Sequence, residues 1–157
     1  MKTILFVCTG NSCRSVMAAE MFKKILGPNN DRIRVLSAGV GTVPGMQASE
    51  YTIKVLQRES IDATKHRSTA VSKSMIQEAD LVITMERYHK YRILEIDPSA
   101  KYKVHVLREL GKAPDEIIEP EIIDPIGRPM EVYERCLDLI KEGLENLITW
   151  MKKEGWM

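Results

Sequence analysis

The chain has 157 residues, the length of one folded domain, and its 44% hydrophobic and 29% charged residues exclude a disordered or fibrous chain. With 23 basic and 22 acidic residues, the net charge of +1 offers no global field for nucleic acid or an anionic membrane. No stretch approaches the roughly 18 uncharged apolar residues of a membrane helix. Three cysteines are too few for a secreted disulfide scaffold. We therefore expect one domain over residues 1–157, in the cytoplasm, with reduced thiols.

Apolar runs of strand length alternate along the chain with segments of helical periodicity. The predicted strands are Thr3–Cys8, Arg32–Ala38, Asp80–Met85 and Tyr102–Leu107. The predicted helices begin at Ser15, run from about Gln47 to Gln57, cover Val71–Ala79 and Glu86–Glu95, and begin again near Met130. In the second helix Tyr51 is expected to face inward, and Lys112–Pro129, with four prolines, is expected to be irregular. The alternation predicts an α/β fold, a four-stranded parallel sheet with helices on both faces.

The turn after the first strand is where the sequence concentrates its chemistry. Ligands of parallel sheets bind at the carboxyl ends of the strands, and here residues 7–15 read VCTGNSCRS. Gly10 and Asn11 favour left-handed backbone, which would let successive N–H groups point inward. Together with the start of the following helix, those N–H groups would form a cradle for an anion.

Two side chains in this turn suit a reaction at that anion. The positive surroundings of the cradle favour the thiolate form of Cys8, and a thiolate is a nucleophile. The planar guanidinium of Arg14 can hold two oxygens of a tetrahedral oxyanion, and Ser15 can donate a hydrogen bond to the Cys8 sulfur. The alternative is a buried cysteine that ends a strand beside a surface arginine. The coincidence of strand, cysteine, Gly-Asn spacer, arginine, serine and helix favours the site.

A proton donor for such a reaction is expected from Asp124. It lies in the irregular segment before Pro125, which biases it to extended backbone and projects its carboxyl group. The neighbouring residues Ile122, Ile123 and Ile126 are expected to desolvate it partly. The alternative acid, Asp97, also precedes a proline but has the surroundings of an ordinary turn.

These residues resemble the low-molecular-weight protein tyrosine phosphatases, and most of all their bacterial branch that is similar to protein-arginine phosphatases. The resemblance covers nearly the whole chain in order and spacing. It is carried by VCTGNSCRS at 7–15, SAG at 37–39, LVITM at 81–85 and DPIG at 124–127.

The resemblance implies roles for individual residues. Cys8 would be the nucleophile that forms a phosphocysteine, and Arg14 would bind phosphate. Asn11 and Ser15 would hold the loop and tune Cys8, while His66 would support the loop through its asparagine, unless it is simply an exposed loop histidine. The phosphate-binding loop would also contain Thr9, Gly10, Ser12 and Cys13.

The same resemblance implies a phosphorylated protein as substrate. Tyrosine-specific relatives usually carry a branched aliphatic residue at the position of Ser12, whereas arginine phosphatases carry threonine there, and Thr9 also resembles the arginine-phosphatase loop. Many relatives have an aromatic residue at the position of Ile126, where it flanks a planar ring. These differences favour phosphoarginine over phosphotyrosine.

Two other functions stay open at this stage. The loop is also similar to that of thiol-dependent arsenate reductases, but those need further cysteines after the third strand, where this chain has Met85-Glu86-Arg87. A non-catalytic phosphate-binding or redox-sensing module would bind without turnover. Cys13 is either a trap for oxidised Cys8 or a small core residue. His89 and His105 show no ligand spacing with each other or with a cysteine, so we expect no metal site. We also expect no cofactor, because the cradle would itself supply the positive charge.

Overall fold

A computed structural model describes residues 1–157 of the protein. Its strands are β1 (Lys2–Cys8), β2 (Ile33–Gly39), β3 (Leu81–Thr84) and β4 (Val104–Val106). Its helices are α1 (Arg14–Leu26), α2 (Glu50–Gln57), α3 (Lys73–Glu78), α4 (Arg87–Ile96) and α5 (Met130–Lys153). Short 3-10 helices cover Pro98–Tyr102, Leu107–Glu109 and Pro114–Glu116. None of the helices has the length and apolar character needed to cross a bilayer.

The four strands form one parallel sheet in the order β2-β1-β3-β4, which confirms the predicted fold class. From β1 the chain passes outward to β2 on one side and later to β3 and β4 on the other. The ends of β1 and β3 therefore flank a switch point, where parallel sheets open a crevice for ligands. The turn after β1 and the segment after β3 both lead into this crevice.

The sheet separates two apolar cores, as the continuous apolar run of β1 requires. Ile4, Phe6 and Cys8 face the larger core, which α1 and α5 cover. Leu5 and Val7 face the smaller core, which α3 and α4 cover. Helices thus lie on both faces, and α2 packs against α5 at the edge of the larger core.

Some predicted details are wrong. Tyr51 does not face inward: it is 36% exposed and its ring lies edge-on against Tyr133. Helix α2 begins at Glu50 and not near Gln47, because the Ser49 hydroxyl accepts a hydrogen bond from the Thr52 N–H and caps the helix there. Strands β3 and β4 are shorter than predicted, since only their central residues pair with neighbouring strands.

Candidate active site

The turn between β1 and α1 presents unpaired backbone N–H groups. Cys8 ends β1, as predicted, and Arg14 begins α1, one residue before the predicted start at Ser15. The N–H groups of residues 9–13 donate to no acceptor in the protein, and the first turn of α1 adds its own unpaired N–H groups. Asn11 has a φ of 52°, the left-handed conformation expected of it. The same expectation for Gly10 is wrong, since its φ is not positive and the turn needs only one left-handed residue.

The side chain of Asn11, fully buried, holds this turn together. Its Nδ2 donates to the hydroxyl oxygens of Ser15, at 2.7 Å, and Ser37, at 3.0 Å. Its Oδ1 accepts from the N–H of Thr69 at 2.9 Å. The half-buried His66 donates from Nε2 to the Asn11 carbonyl oxygen at 2.7 Å. The predicted supports of the loop, His66 among them, therefore converge on one residue.

Gly39, the last residue of β2, lets the turn lie close to the sheet. A Cβ atom on Gly39 would come within 2.4 Å of the Thr9 carbonyl oxygen, a distance that no side chain allows. The residues at 37–39 thus contribute the Ser37 hydroxyl and the close approach at Gly39, which explains why both residue types stand at the end of β2 although the strand carries no catalytic side chain.

The Cys8 sulfur has one hydroxyl partner. Its Sγ lies 3.0 Å from the Ser15 Oγ, and both residues are buried. Because the Ser15 oxygen already accepts from Asn11, its own hydrogen is free to point at the sulfur. A hydroxyl that donates to sulfur stabilises the thiolate as nucleophile and as leaving group.

Arg14 is 1% exposed and partly paired. Its Nη1 donates to the Ile122 carbonyl oxygen at 2.7 Å and lies 3.0 Å from Glu86 Oε2, which compensates its buried charge. Its Nε has no hydrogen-bond partner, and its Nη2 lies 3.8 Å from Asp124 Oδ2. Two nitrogens of the guanidinium fork are therefore available to an oxyanion.

The loop that carries Asp124 is tied to the end of β3. The Ile122 N–H donates to the Met85 carbonyl oxygen at 3.0 Å, while the Ile122 carbonyl accepts from Arg14. The Asp124 carboxyl group accepts from the Ile126 N–H and is 43% exposed. The carboxyl group is only partly enclosed, because Ile122 is buried whereas Ile123 and Ile126 are both about half exposed.

The alternative acid has a structural function. Asp97 begins the 3-10 helix at Pro98–Tyr102 and accepts from both the N–H and the hydroxyl of Ser99. The hydroxyl hydrogen bond of Ser99 lowers the pKa of Asp97, as a capping carboxylate requires.

Glu86 and His89 follow β3 in the chain and belong to this site, although the sequence pattern did not indicate them. Glu86 pairs with Arg14, and His89, fully buried, lies with Nε2 2.9 Å from the Thr9 Oγ1. Burial and the nearby Arg14 charge lower the pKa of His89 to about 3. The sequence offered one signal for them: Glu86 and His89 are two polar residues three positions apart, the spacing of a helix cap.

The remaining cysteines lie in the core. Cys13 is 3% exposed, with its Sγ 3.3 Å from the Ser49 Oγ and 3.9 Å from the Tyr133 hydroxyl. Burial raises the pKa of Tyr133 to about 12. Cys136 donates to the Ile123 carbonyl oxygen, and burial raises its pKa to about 11. All three cysteines are free, and no cluster of potential metal ligands is present.

The turn after β1 thus brings unpaired backbone N–H groups, the partly paired guanidinium of Arg14 and the Cys8 thiol to one place, an arrangement suited to a tetrahedral oxyanion. An α/β fold with this centre is that of a cysteine-dependent phosphatase. The model of the family "Low molecular weight phosphotyrosine protein phosphatase" matches residues 3–156. The chain belongs to this family and is a protein phosphatase.

Relatives of several activities resemble the chain over nearly its full length. A protein-arginine-phosphatase of Geobacillus stearothermophilus is 37% identical over 151 residues, 96% of this chain and 97% of the relative. The solved structure of the YwlE arginine phosphatase from that organism has a TM-score of 0.85 at 36% identity, and covers 98% of this chain and 95% of its own. An "Arsenate reductase 2" of Staphylococcus haemolyticus is 32% identical over 94% of this chain and 97% of the relative.

Proposed function

We propose that the phosphatase works by two displacements at phosphorus, with Cys8 as the nucleophile. The thiolate sulfur attacks, the S–P bond forms and the bond from phosphorus to the leaving group breaks. The free N–H groups of residues 9–13 and the fork of Arg14 hold the three equatorial oxygens. The single observation that carries the proposal is the coincidence of these unpaired amides with Arg14, whose Nε has no hydrogen-bond partner and whose Nη2 lies beside Asp124.

Asp124 is the proposed acid and base. Its exposed carboxyl group protonates the departing oxygen or nitrogen in the first step, and its carboxylate takes a proton from water in the second. The water oxygen bonds to phosphorus, the S–P bond breaks, and phosphate leaves with the thiolate restored. The Asp124 oxygen 3.8 Å from Arg14 Nη2 supports this assignment, because the acid then faces the group that Arg14 holds.

Phosphoarginine in proteins is the proposed preferred substrate, with phosphotyrosine and small aryl phosphates also cleaved. Half-buried Ser12 gives the cleft a small polar residue in place of an aliphatic wall. Ile126, 53% exposed, provides no aromatic ring to flank a phenyl group. The relatives named protein-arginine-phosphatase support the same preference. The reduced thiol that the mechanism needs favours action in the cytoplasm.

A groove beside the acid loop supports a protein as substrate. It has a volume of about 570 Å³ and its walls come from the start of α2 and from residues 127–129. Tyr133 lies in its wall and reaches with its hydroxyl toward Cys13. The chain on either side of a phosphorylated side chain would have room there.

Arsenate reduction is the alternative function, and relatives named "Arsenate reductase 2" at 32% identity support it. It requires a relay of cysteines, and the segment after β3 has Glu86 and Arg87 instead. Cys136, the remaining cysteine, is 2% exposed and bonded to a carbonyl oxygen in the core. A non-catalytic module is less well supported, because the Asp124 carboxyl group is open to substrate and water.

Paired rate measurements test the substrate. We expect kcat/KM on phosphoarginine peptides to exceed that on phosphotyrosine peptides of the same sequence, and thiol-driven arsenate reduction to be absent. A higher value on phosphotyrosine would refute the preference and leave the phosphatase assignment intact.

Cys8→Ser tests the nucleophile. The variant should lose turnover because the hydroxyl is a far weaker nucleophile than a thiolate, yet it should still bind inorganic phosphate in calorimetry because the amides and Arg14 remain. Retained turnover would show that the nucleophile is another group.

A further inference from the structure

His89 connects the nucleophile turn with the segment after β3. Its imidazole has two polar contacts: Nδ1 lies 3.0 Å from the Glu86 nitrogen, and Nε2 lies 2.9 Å from the Thr9 Oγ1. The carboxylate of Glu86 is also near Nε2, but at 3.6 Å it is too far for a hydrogen bond. The imidazole therefore bridges the start of α4 and the residue that follows the proposed nucleophile.

The contacts of His89 determine where its hydrogen lies. The Glu86 backbone N–H donates into Nδ1, so Nδ1 carries no hydrogen. In the neutral ring the hydrogen is then on Nε2, which donates to the Thr9 oxygen. Burial and the Arg14 charge, which lower the pKa of His89 to about 3, keep the ring neutral at working pH.

The Thr9 hydroxyl is left with a free hydrogen. Its oxygen accepts from His89, so its own O–H must point elsewhere, and the hydroxyl makes no other hydrogen bond within the protein. The Thr9 backbone is held on its other side, where its carbonyl oxygen accepts from the Gly41 N–H at 3.0 Å. Thr9 is half-buried in the same turn whose backbone N–H groups are unpaired.

We propose that His89 is a positioning residue that turns the Thr9 hydroxyl into an oriented donor to the oxyanion bound in the turn. The proposal rests on the proposed function, since the oxyanion is the transferring phosphoryl group. Every substrate carries phosphoryl oxygens that can accept from the Thr9 hydroxyl. The guanidinium of phosphoarginine has only donors, so the hydroxyl cannot donate to it. Without the His89 contact the hydroxyl would rotate freely, and its hydrogen bond to the oxyanion would be weaker.

Two pairs of variants separate orientation from folding. Thr9→Val keeps the shape and removes the hydroxyl, while Thr9→Ser keeps the hydroxyl. His89→Asn places an amide oxygen where Nδ1 accepts from Glu86 but supplies no donor at the position of Nε2. His89→Gln can supply both an acceptor and a donor, and glutamine is a natural partner at this position of a helix cap.

Calorimetry with inorganic phosphate measures the effect without requiring turnover. Thr9→Val should weaken phosphate binding about tenfold, the size expected of one hydrogen bond to a charged group. Thr9→Ser should bind several times more tightly than Thr9→Val, and His89→Gln should recover most of the binding that His89→Asn loses. In the Thr9→Val background, adding His89→Asn should cause no further loss of phosphate affinity.

Several results would overturn the proposal. One is phosphate binding by Thr9→Val at the wild-type affinity. Another is a loss of phosphate affinity from His89→Asn that is equally large with and without the Thr9 hydroxyl. If His89→Asn fails to fold, the Thr9→Val and Thr9→Ser comparison decides whether the hydroxyl is a donor, and His89→Gln with and without Thr9→Val decides the role of His89: an equal change in phosphate binding in both backgrounds would overturn it. A wild-type protein that binds phosphate but hydrolyses no phosphorylated substrate would refute the proposed function, and the same titrations would still test the Thr9 donor.

Discussion

Asn11→Ala is the substitution that should disturb the turn most. The Asn11 side chain makes three hydrogen bonds, to Ser15, Ser37 and Thr69, inside a fully buried position. The residue also has a φ of 52°, which asparagine tolerates better than alanine. The variant therefore loses the contacts between the turn, β2 and the segment after α2, and it strains the backbone as well.

The expected loss follows from these contacts. At about 1 kcal/mol net for each hydrogen bond and roughly 1 kcal/mol for the left-handed backbone, the free energy of unfolding should fall by about 4 kcal/mol. For a domain of this size that lowers Tm by about 8–16 °C. The rate should fall too, because the Ser15 hydroxyl is no longer held toward the Cys8 sulfur.

Urea unfolding, with Asn30→Ala as the control, measures this loss. Asn30 also makes three side-chain hydrogen bonds, two with Ile33 and one with Arg32, but it is only half-buried and has no positive φ. Asn30→Ala should cost about 1–2 kcal/mol and leave the rate unchanged. Equal destabilisation by the two substitutions would refute the view that burial and backbone strain make Asn11 the support of the turn.

Three further predictions concern catalysis, substrate choice and pH. Asp124→Asn should lower kcat by about two to four powers of ten in a steady-state assay, the range of general acid–base catalysis, and an unchanged kcat would assign the acid elsewhere. Ser12→Ile should raise the phosphotyrosine-to-phosphoarginine ratio of kcat/KM about fivefold through an apolar contact of roughly 1 kcal/mol, and an unmoved ratio would remove the basis for the preference. Below pH 6.5 His89 binds a proton in the unfolded chain. In the folded chain it does not, because its pKa is lowered to about 3, so the free energy of unfolding falls as pH falls. Between pH 8 and pH 5 this proton should lower the free energy of unfolding of the wild-type protein by about 2 kcal/mol, and urea unfolding of His89→Gln should lack that decrease. An identical decrease in both proteins would show that His89 is not held neutral.

The local pattern was sufficient to predict the strand, the turn at residues 9–13 and the helix that follows it. A run of apolar residues ending at Cys8 could only be a buried strand, and Asn11 is one of the few residues that adopt left-handed backbone readily. Helix α5 was equally clear, because its apolar residues recur at helical spacing and are buried, Tyr133 and Cys136 among them. In each case neighbouring residues carry the signal.

The environment of an exposed or irregular segment was not predictable in this way. Apolar residues beside Asp124 predicted partial desolvation of its carboxyl group, but the pattern did not indicate that Ile123 and Ile126 would themselves be about half exposed. Tyr51 has the spacing of an inward residue, yet α2 packs against α5 at the edge of the core and leaves its ring half exposed. Hydrophobic spacing identifies the apolar side of a helix without saying how much of it a neighbour covers.

The sequence by itself determined the α/β alternation and the turn between β1 and α1, and it offered the candidate acid, because each depends on neighbours along the chain. Only the tertiary structure decided which distant residues complete the site. Glu86 reaches Arg14, and His89 reaches Thr9, because β1 and β3 are adjacent in the sheet and their ends open at one switch point. No spacing along the chain records that adjacency, since residues some 70–80 positions apart meet only when the strands pair.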